Sequence, residues 1–302
     1  MTSKQGVDFL IYALLLLLSL CGTWQGGTAK AQGARSDSNN FIVFADSKEL
    51  ASDVSHMAEV YRKELALKWL GHELPQWRMR CPIFVKEGPT LGAGGATSFT
   101  FSYDGYSEPG DWHMEIQGSS KRILDSVLPH EVLHTVFATH FRQKLPRWAD
   151  EGACTSIEDL SERTKHHKLL LRNLTSNKGI GLRRMFKMYE YPKDMLPLYA
   201  QGYSLVKFLV HQKGEQEFIR FVEEGLENEE WESALCRRYE VDNLADFQVK
   251  WLAWIKNGGL KIAPDTEIVW GQTTTTKKKL ALVRPIYKKK KSLITTQKQG
   301  IQ

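Results

Sequence analysis

Two histidines and a glutamate in the stretch 128–134, Leu-Pro-His-Glu-Val-Leu-His, have the types and spacing of a metal-dependent hydrolytic site. His130 and His134 are four residues apart, so on an α-helix both imidazoles leave the same face, one turn apart. Two neutral imidazole nitrogens at that spacing can bind one zinc ion at about 2.0–2.1 Å. Glu131 can take a proton from a metal-bound water, whose pKa zinc lowers to about 7. The stretch therefore predicts an HExxH zinc site.

A carboxylate further along the chain can complete this metal site. Glu151 follows His134 by seventeen positions, after a polar turn that contains a proline and at the start of a second helical pattern. As third protein ligand it would leave the fourth position of a tetrahedral zinc ion for water, as a catalytic site requires. Asp150 is the alternative third ligand.

A pair of histidines on one helix can also be an ordinary pair of buried, hydrogen-bonded side chains. Apolar residues around the pair recur at helical intervals and predict an amphipathic helix: Ile123, Leu124, Val127, Leu128, Val132, Leu133, Val136 and Phe137. Because that helix is followed by a turn and then by a carboxylate at the start of a second helix, the pattern favours the metal site over the plain core pair.

The letters HExxH at 130–134 and Trp-x-x-Glu-Gly at 148–152 resemble those of the gluzincins, zinc peptidases whose third ligand is a glutamate on a following helix. Together with residues 198–206, Leu-Tyr-Ala-Gln-Gly-Tyr-Ser-Leu-Val, they most resemble the secreted bacterial "peptidase MA-like" group over residues 41–258. The Gly-Ala-Met-Glu-Asn sequence of aminopeptidase-type gluzincins is absent. The resemblance therefore implies peptide hydrolysis with Glu151 as third ligand, and favours it over aminopeptidase action.

Two further residues are candidates for supporting roles. The resemblance implies that Tyr199 donates a hydrogen bond to the oxyanion formed during hydrolysis, although Tyr199 and Tyr203 share a helix face and could simply pack together against the protein. Glu158 lies seven positions, or two helical turns, beyond Glu151. On that face it could accept a hydrogen bond from a zinc-bound histidine, or it could be a solvated surface carboxylate.

The expected fold is α+β and gluzincin-like. A small sheet-containing N-terminal lobe, at about 41–140, is expected to precede an all-helical C-terminal lobe at 141–258, with the HExxH helix between them. The sequence predicts that the N-terminal lobe contains a strand, a long helix that ends at Gly71, and three further strands. In gluzincin-like folds one strand borders the cleft and pairs with extended substrate, and residues 96–103 are the candidate for that strand here.

The beginning of the chain predicts export. Residues 1–31 combine a weakly positive start, a short apolar run and an Ala-Lys-Ala cleavage site, as in a signal peptide. Cys21 would suit a lipoprotein, but the residue before it is a large leucine. Removal of this segment near Ala31 would leave three cysteines, an odd number that allows at most one internal disulfide. The protein is thus expected to be secreted, periplasmic or held in the cell envelope.

The end of the chain is basic. From Lys277 onwards it has nine of the 41 lysines and arginines and none of the 35 aspartates and glutamates. The residues before Lys277 therefore have 32 basic and 35 acidic side chains, an acidic excess of three. The basic C-terminal tail, which we place at residues 263–302 and which includes this lysine-rich end, could contact an anionic envelope polymer. A solvated, disordered tail is the alternative, and we favour it. Export argues against nucleic acid as a partner.

These patterns predict a secreted zinc-dependent peptidase that acts on a peptide or protein substrate with Glu131 as general base. The alternatives are a zinc-containing binding module of the cell envelope without catalytic activity, and a structural protein in which the motif is accidental. The sequence identifies neither the substrate-binding residues nor the oligomeric state.

Overall fold

The computed structural model describes residues 33–101 and 108–260, together with the backbone of residues 10–13. They belong to one compact unit that extends from Met1 to Gly271. Within the described ranges, no helix is both long and apolar enough to cross a membrane.

Several expectations concern residues outside this description. Apart from residues 10–13, the predicted signal peptide 1–31 with Cys21 lies outside the described residues, and so does the predicted tail 263–302. The last two residues of the predicted cleft strand 96–103 are also outside them. These expectations remain predictions.

The strands lie in the first half of the chain and form one mixed sheet. Their bounds are β1, Leu10–Ala13; β2, Ala34–Asp37; β3, Phe41–Ala45; β4, Cys81–Glu87; β5, Gly94–Thr100; and β6, Gly110–Gly118. The order across the sheet is β1-β5-β6-β4-β3-β2. The pairs β3–β4 and β4–β6 are parallel, and the remaining neighbours are antiparallel. Strand β1 lies at one edge of the sheet, beside β5, and β2 lies at the other edge.

The rest of the described chain is helical. The helices are α1, Lys48–Leu70; α2, Ser120–Arg122; a π-helical turn, Ile123–Val127; α3, Leu128–Phe141; α4, Arg147–Ser156; α5, Leu160–Thr175; α6, Leu182–Phe186; α7, Leu196–Lys213; α8, Glu215–Asn228; α9, Trp231–Tyr239; and α10, Leu244–Lys256. The chain is therefore α+β, as predicted, with its sheet in the N-terminal half and every described helix except α1 after the last strand.

Helix α1 connects the parallel strands β3 and β4 and packs against β2, β3 and α3. The hydroxyl of Ser47 accepts a hydrogen bond from the backbone N–H of Leu50 and caps the first turn. Gly71 ends the helix at φ 83°, a left-handed conformation that glycine adopts without steric cost. The predicted end of this helix at Gly71 is confirmed.

Helix α3 carries the HExxH letters and is buried around its whole circumference. Every residue from Leu128 to Thr139 is buried, so the expected amphipathic helix with one apolar face is wrong. The helix lies between α1, α4 and strand β5. Burial on all sides suits such a central position, because no face of the helix from Leu128 to Thr139 is turned to solvent. Its three polar motif residues are consequently held in the protein interior.

Helices α4 and α7 make a close backbone contact at two glycines. A Cβ atom on Gly152 would lie 2.5 Å from both the carbonyl carbon and oxygen of Gly202. A Cβ on Gly202 would in turn lie 2.8 Å from the carbonyl oxygen of Trp148. Only glycine fits at this crossing, and the contact fixes the position of the helix that carries Glu151.

This contact makes Gly152 a sensitive position for stability. We expect Gly152→Ala to lower the free energy of unfolding by about 1–3 kcal/mol, because the added methyl group meets backbone that cannot move aside. Gly181→Ala is the matched control, since nothing lies within 4 Å of a Cβ there. Urea denaturation of both variants measures the difference, and equal midpoints would contradict the proposed tight crossing.

Candidate metal centre

Helix α3 brings the two predicted histidine ligands together. The rings of His130 and His134 have centroids 5.0 Å apart, and both side chains are almost completely buried. Their one-turn spacing places both Nε2 atoms on the side of the helix that faces α4. The sequence predicted this local arrangement.

Helix α4 places Glu151 opposite both rings. Its Oε2 lies 3.4 Å from Nε2 of His130 and 3.7 Å from Nε2 of His134. Nε2 of His130 and Oε2 of Glu151 are buried without a hydrogen-bond partner, which is costly for polar atoms inside a protein. Ligands at about 2.0–2.1 Å around a tetrahedral zinc ion are separated by about 3.3 Å. The two separations between Glu151 and the histidine nitrogens are thus close to those between ligands of one metal ion.

Cys154 offers a second possible donor. Ligand atoms of His130, His134 and Cys154 lie within 4.8 Å of one another, and this buried group could hold a metal ion. The Cys154 Sγ lies 3.4 Å from Nδ1 of His134, however, so it approaches the imidazole from the side away from Glu151. Burial raises the pKa of the Cys154 thiol well above its ordinary value, and the nearby carboxylates of Asp150 and Glu151 raise this pKa further.

A carboxylate contacts the outer nitrogen of each histidine. The Oε1 atom of Glu158 lies 2.7 Å from Nδ1 of His130, and Oδ1 of Asp150 lies 2.9 Å from Nδ1 of His134. Such contacts fix the ring orientation and the tautomer in which Nε2 faces a metal. The spacing argument for Glu158 is wrong in one respect, because α4 ends at Ser156 and Glu158 contacts His130 from the turn beyond it. Asp150, the alternative third ligand, lies behind His134, and Glu151 is the carboxylate that faces both Nε2 atoms.

Strand β5 holds Glu131. The Thr97 hydroxyl donates a hydrogen bond of 2.7 Å to Oε2 of Glu131. Gly95 gives the same carboxylate room, since a Cβ there would lie 2.7 Å from Oε1 of Glu131 and 2.9 Å from a methyl carbon of Val127. The sequence suggested only a glycine-rich turn and a strand in this region. Neither contact has a sequence signal, because the residues that meet are more than thirty positions apart in the chain.

Two tyrosines reach the other side of the site. Tyr199 on α7 is buried and hydrogen-bonds both Glu151 and Tyr191. The Tyr191 hydroxyl donates a short hydrogen bond to Oε1 of Glu151. Sequence reasoning missed Tyr191, which lies in the turn before α7 and is forty residues from its partner. The sequence contained no periodic signal that could have identified it.

The electrostatics of the site follow from burial opposed by charge pairing. Burial would raise the pKa of Glu151, but the two histidines and the hydroxyl of Tyr191 lower it to about 2. Burial raises the pKa of Glu131, and His134, His130 and the Thr97 hydroxyl offset this only in part. Burial would lower the pKa of His130, but the surrounding carboxylates raise it. Glu151 is thus held as an anion, whereas Glu131 takes up a proton more readily than an ordinary glutamate.

Neither the protein-family models nor the curated proteins include a match to this chain. The gluzincin resemblance therefore depends on the motif residues alone.

The Thr97 hydrogen bond can be tested without any assumption about activity. We expect Thr97→Val to lower the free energy of unfolding by about 1–3 kcal/mol, because it leaves a buried carboxylate oxygen without its donor. Thr97→Ser keeps the hydroxyl and should retain most of the stability. Urea denaturation at neutral pH measures both variants. A valine variant as stable as the serine variant would show that the hydrogen bond contributes nothing.

Proposed function

We propose that this chain is a secreted zinc-dependent peptidase of gluzincin type. The observation that carries the proposal is that Oε2 of Glu151 lies 3.4 Å from Nε2 of His130 and 3.7 Å from Nε2 of His134. Glu131 lies on the helix that carries both histidines. Three protein ligands are the number that a catalytic zinc site uses, since the fourth position must admit water or substrate. A structural zinc site would have four protein ligands.

In this proposal His130, His134 and Glu151 hold the zinc ion. The bound ion would supply Lewis-acid chemistry, polarising a carbonyl group and lowering the pKa of the attacking water. Glu131 would take a proton from the attacking water and then pass it to the leaving amine. The hydroxyl of Tyr199 is our candidate donor to the oxyanion, as the resemblance implies.

The sheet supports an extended peptide as the substrate. Strand β5, whose Thr97 holds the proposed base, pairs along its outer edge with residues 10–13 in antiparallel register, with Tyr12 opposite Thr97. This edge therefore accepts an extended backbone beside Glu131, which is how peptides are recognised by strand addition. The pairing segment lies within the predicted signal peptide, so its removal would free the edge for substrate.

The place of action and the further partners are also part of this proposal. The predicted signal peptide supports secretion, or retention in the periplasm or envelope. The basic tail 263–302 offers a contact for an anionic envelope polymer. A binding module that holds zinc but lacks turnover is the second candidate, because a buried metal could equally stabilise a peptide-binding cleft.

Metal analysis alongside peptide cleavage separates these candidates. We expect one zinc per purified chain, lost in His134→Ala and retained in Glu131→Gln. Cleavage of a mixed peptide library should fall by about 10²–10⁴-fold in Glu131→Gln, because the base is lost while the metal remains. Zinc without cleavage by the wild-type protein would favour the binding module. A wild-type protein that holds no zinc would refute the metal site itself.

A further inference from the structure

The two carboxylate oxygens of Glu151 have different environments. Oε2 faces the Nε2 atoms of His130 and His134 and has no hydrogen-bond partner. Oε1 accepts the hydrogen bond from the Tyr191 hydroxyl. A carboxylate can bind a metal through one oxygen or through both, and the number of oxygens used changes how many positions remain for other ligands.

Tyr191 is itself held in place by a buried arginine. The guanidinium carbon of Arg147 lies 4.1 Å from the centre of the Tyr191 ring, within the range of a cation–π contact. Nη1 of Arg147 donates a hydrogen bond of 3.3 Å to the Tyr191 hydroxyl oxygen, which leaves the hydroxyl proton for Glu151. Arg147 is 3 % exposed, so these contacts are made out of water and are not weakened by it.

The turn that carries Tyr191 is also attached to helix α4 through its backbone. Nε of Arg147 donates a hydrogen bond of 3.0 Å to the carbonyl oxygen of Tyr189. The backbone N–H of Arg147 donates one of 2.7 Å to the carbonyl oxygen of Met188. Arg147 lies one turn before Glu151 on α4, so the tyrosine and the carboxylate are positioned from the same short helix. The hydroxyl therefore has little freedom to leave Oε1.

We propose that Tyr191 is a positioning residue that restricts Glu151 to one metal-facing oxygen. The inference rests on the zinc site proposed above and adds how that site keeps a position for water or substrate. With Oε1 engaged by the hydroxyl, only Oε2 is offered to the metal. Without that hydroxyl only the contact of Glu151 with Tyr199 remains, so Oε1 can turn towards the metal and take the position that catalysis needs.

Tyr191→Phe is the direct test, because it removes one oxygen and keeps the ring over Arg147. We expect zinc retention against a competing chelator to weaken by about 10–100-fold, the usual effect of losing a group that hydrogen-bonds a metal ligand. In the protein loaded with Co²⁺ in place of zinc, we expect a weaker visible absorption than in the wild type. A second oxygen from Glu151 raises the coordination number, and cobalt absorbs less when it has more than four ligands.

Tyr189→Phe is the matched control. It is the same chemical change in the same turn, but the contact of Tyr189 with Arg147 runs through its backbone oxygen, which the substitution keeps. We expect this variant to retain zinc and the wild-type cobalt spectrum. The zinc-induced rise in Tm, measured within each variant, reports metal binding separately from any general loss of stability.

The outcomes separate this inference from the proposed function. If the wild-type protein binds zinc and Tyr191→Phe matches it in retention and in cobalt spectrum, the positioning role is overturned and the metal site stands. Equal losses in Tyr191→Phe and Tyr189→Phe also overturn it, because the effect would then belong to the turn and not to the hydroxyl. If the wild-type protein binds neither zinc nor cobalt, the proposed function fails and this inference fails with it.

Discussion

Four carboxylates lie in the protein interior around two imidazoles, and an ionised group in such a place is costly unless it is paired and hydrogen-bonded. Each carboxylate has a specific partner, as the pairs show: Thr97 with Glu131, Asp150 with His134, Tyr191 with Glu151 and Glu158 with His130. The buried polar atoms without a hydrogen bond include Oε2 of Glu151 and Nε2 of His130, which face each other at 3.4 Å. A divalent cation is the partner that suits that combination of donors.

Close packing of the surrounding helices and of strand β5 holds these side chains in position. Helix α3 is buried on all sides, α4 is pressed against α7 at Gly152 and Gly202, and β5 approaches Glu131 closely at Gly95. Close-packed interiors transmit small displacements, so the distances in the site depend on these glycine contacts. A metal site needs its ligands held to within a few tenths of an ångström, and contacts between backbones provide that restraint better than flexible side chains do.

The same geometry bears on the choice between an enzyme and a binding module. A site built only to hold metal could use Cys154 as a fourth donor, because a thiolate is a strong zinc ligand. In the structure the Cys154 sulfur approaches the outer nitrogen of His134, where Asp150 also lies, and not the Nε2 atom that faces Glu151. If Cys154 is not a ligand, the site offers three protein ligands, the number that the proposed hydrolytic site needs because its fourth position must admit water.

The sequence by itself determined the local part of the site. The four-residue spacing of His130 and His134 fixes both rings on one helix face, since helix geometry depends only on neighbouring residues. The coarse α+β class and the helix end at Gly71 likewise followed from local patterns. Spacing suggested that Glu158 shares a helix face with Glu151, whereas it lies beyond the end of α4 and contacts His130 from there.

Only the tertiary structure decided how the remaining groups divide their roles. Asp150 and Glu151 are neighbours whose side chains leave α4 in different directions, and the rotation of that helix against α3 determines which one faces the Nε2 atoms. Thr97 and Tyr191 come from a strand and a turn that are distant in sequence from the carboxylates they contact. Local periodicity has no information about such pairs, because the packing of the whole chain brings them together.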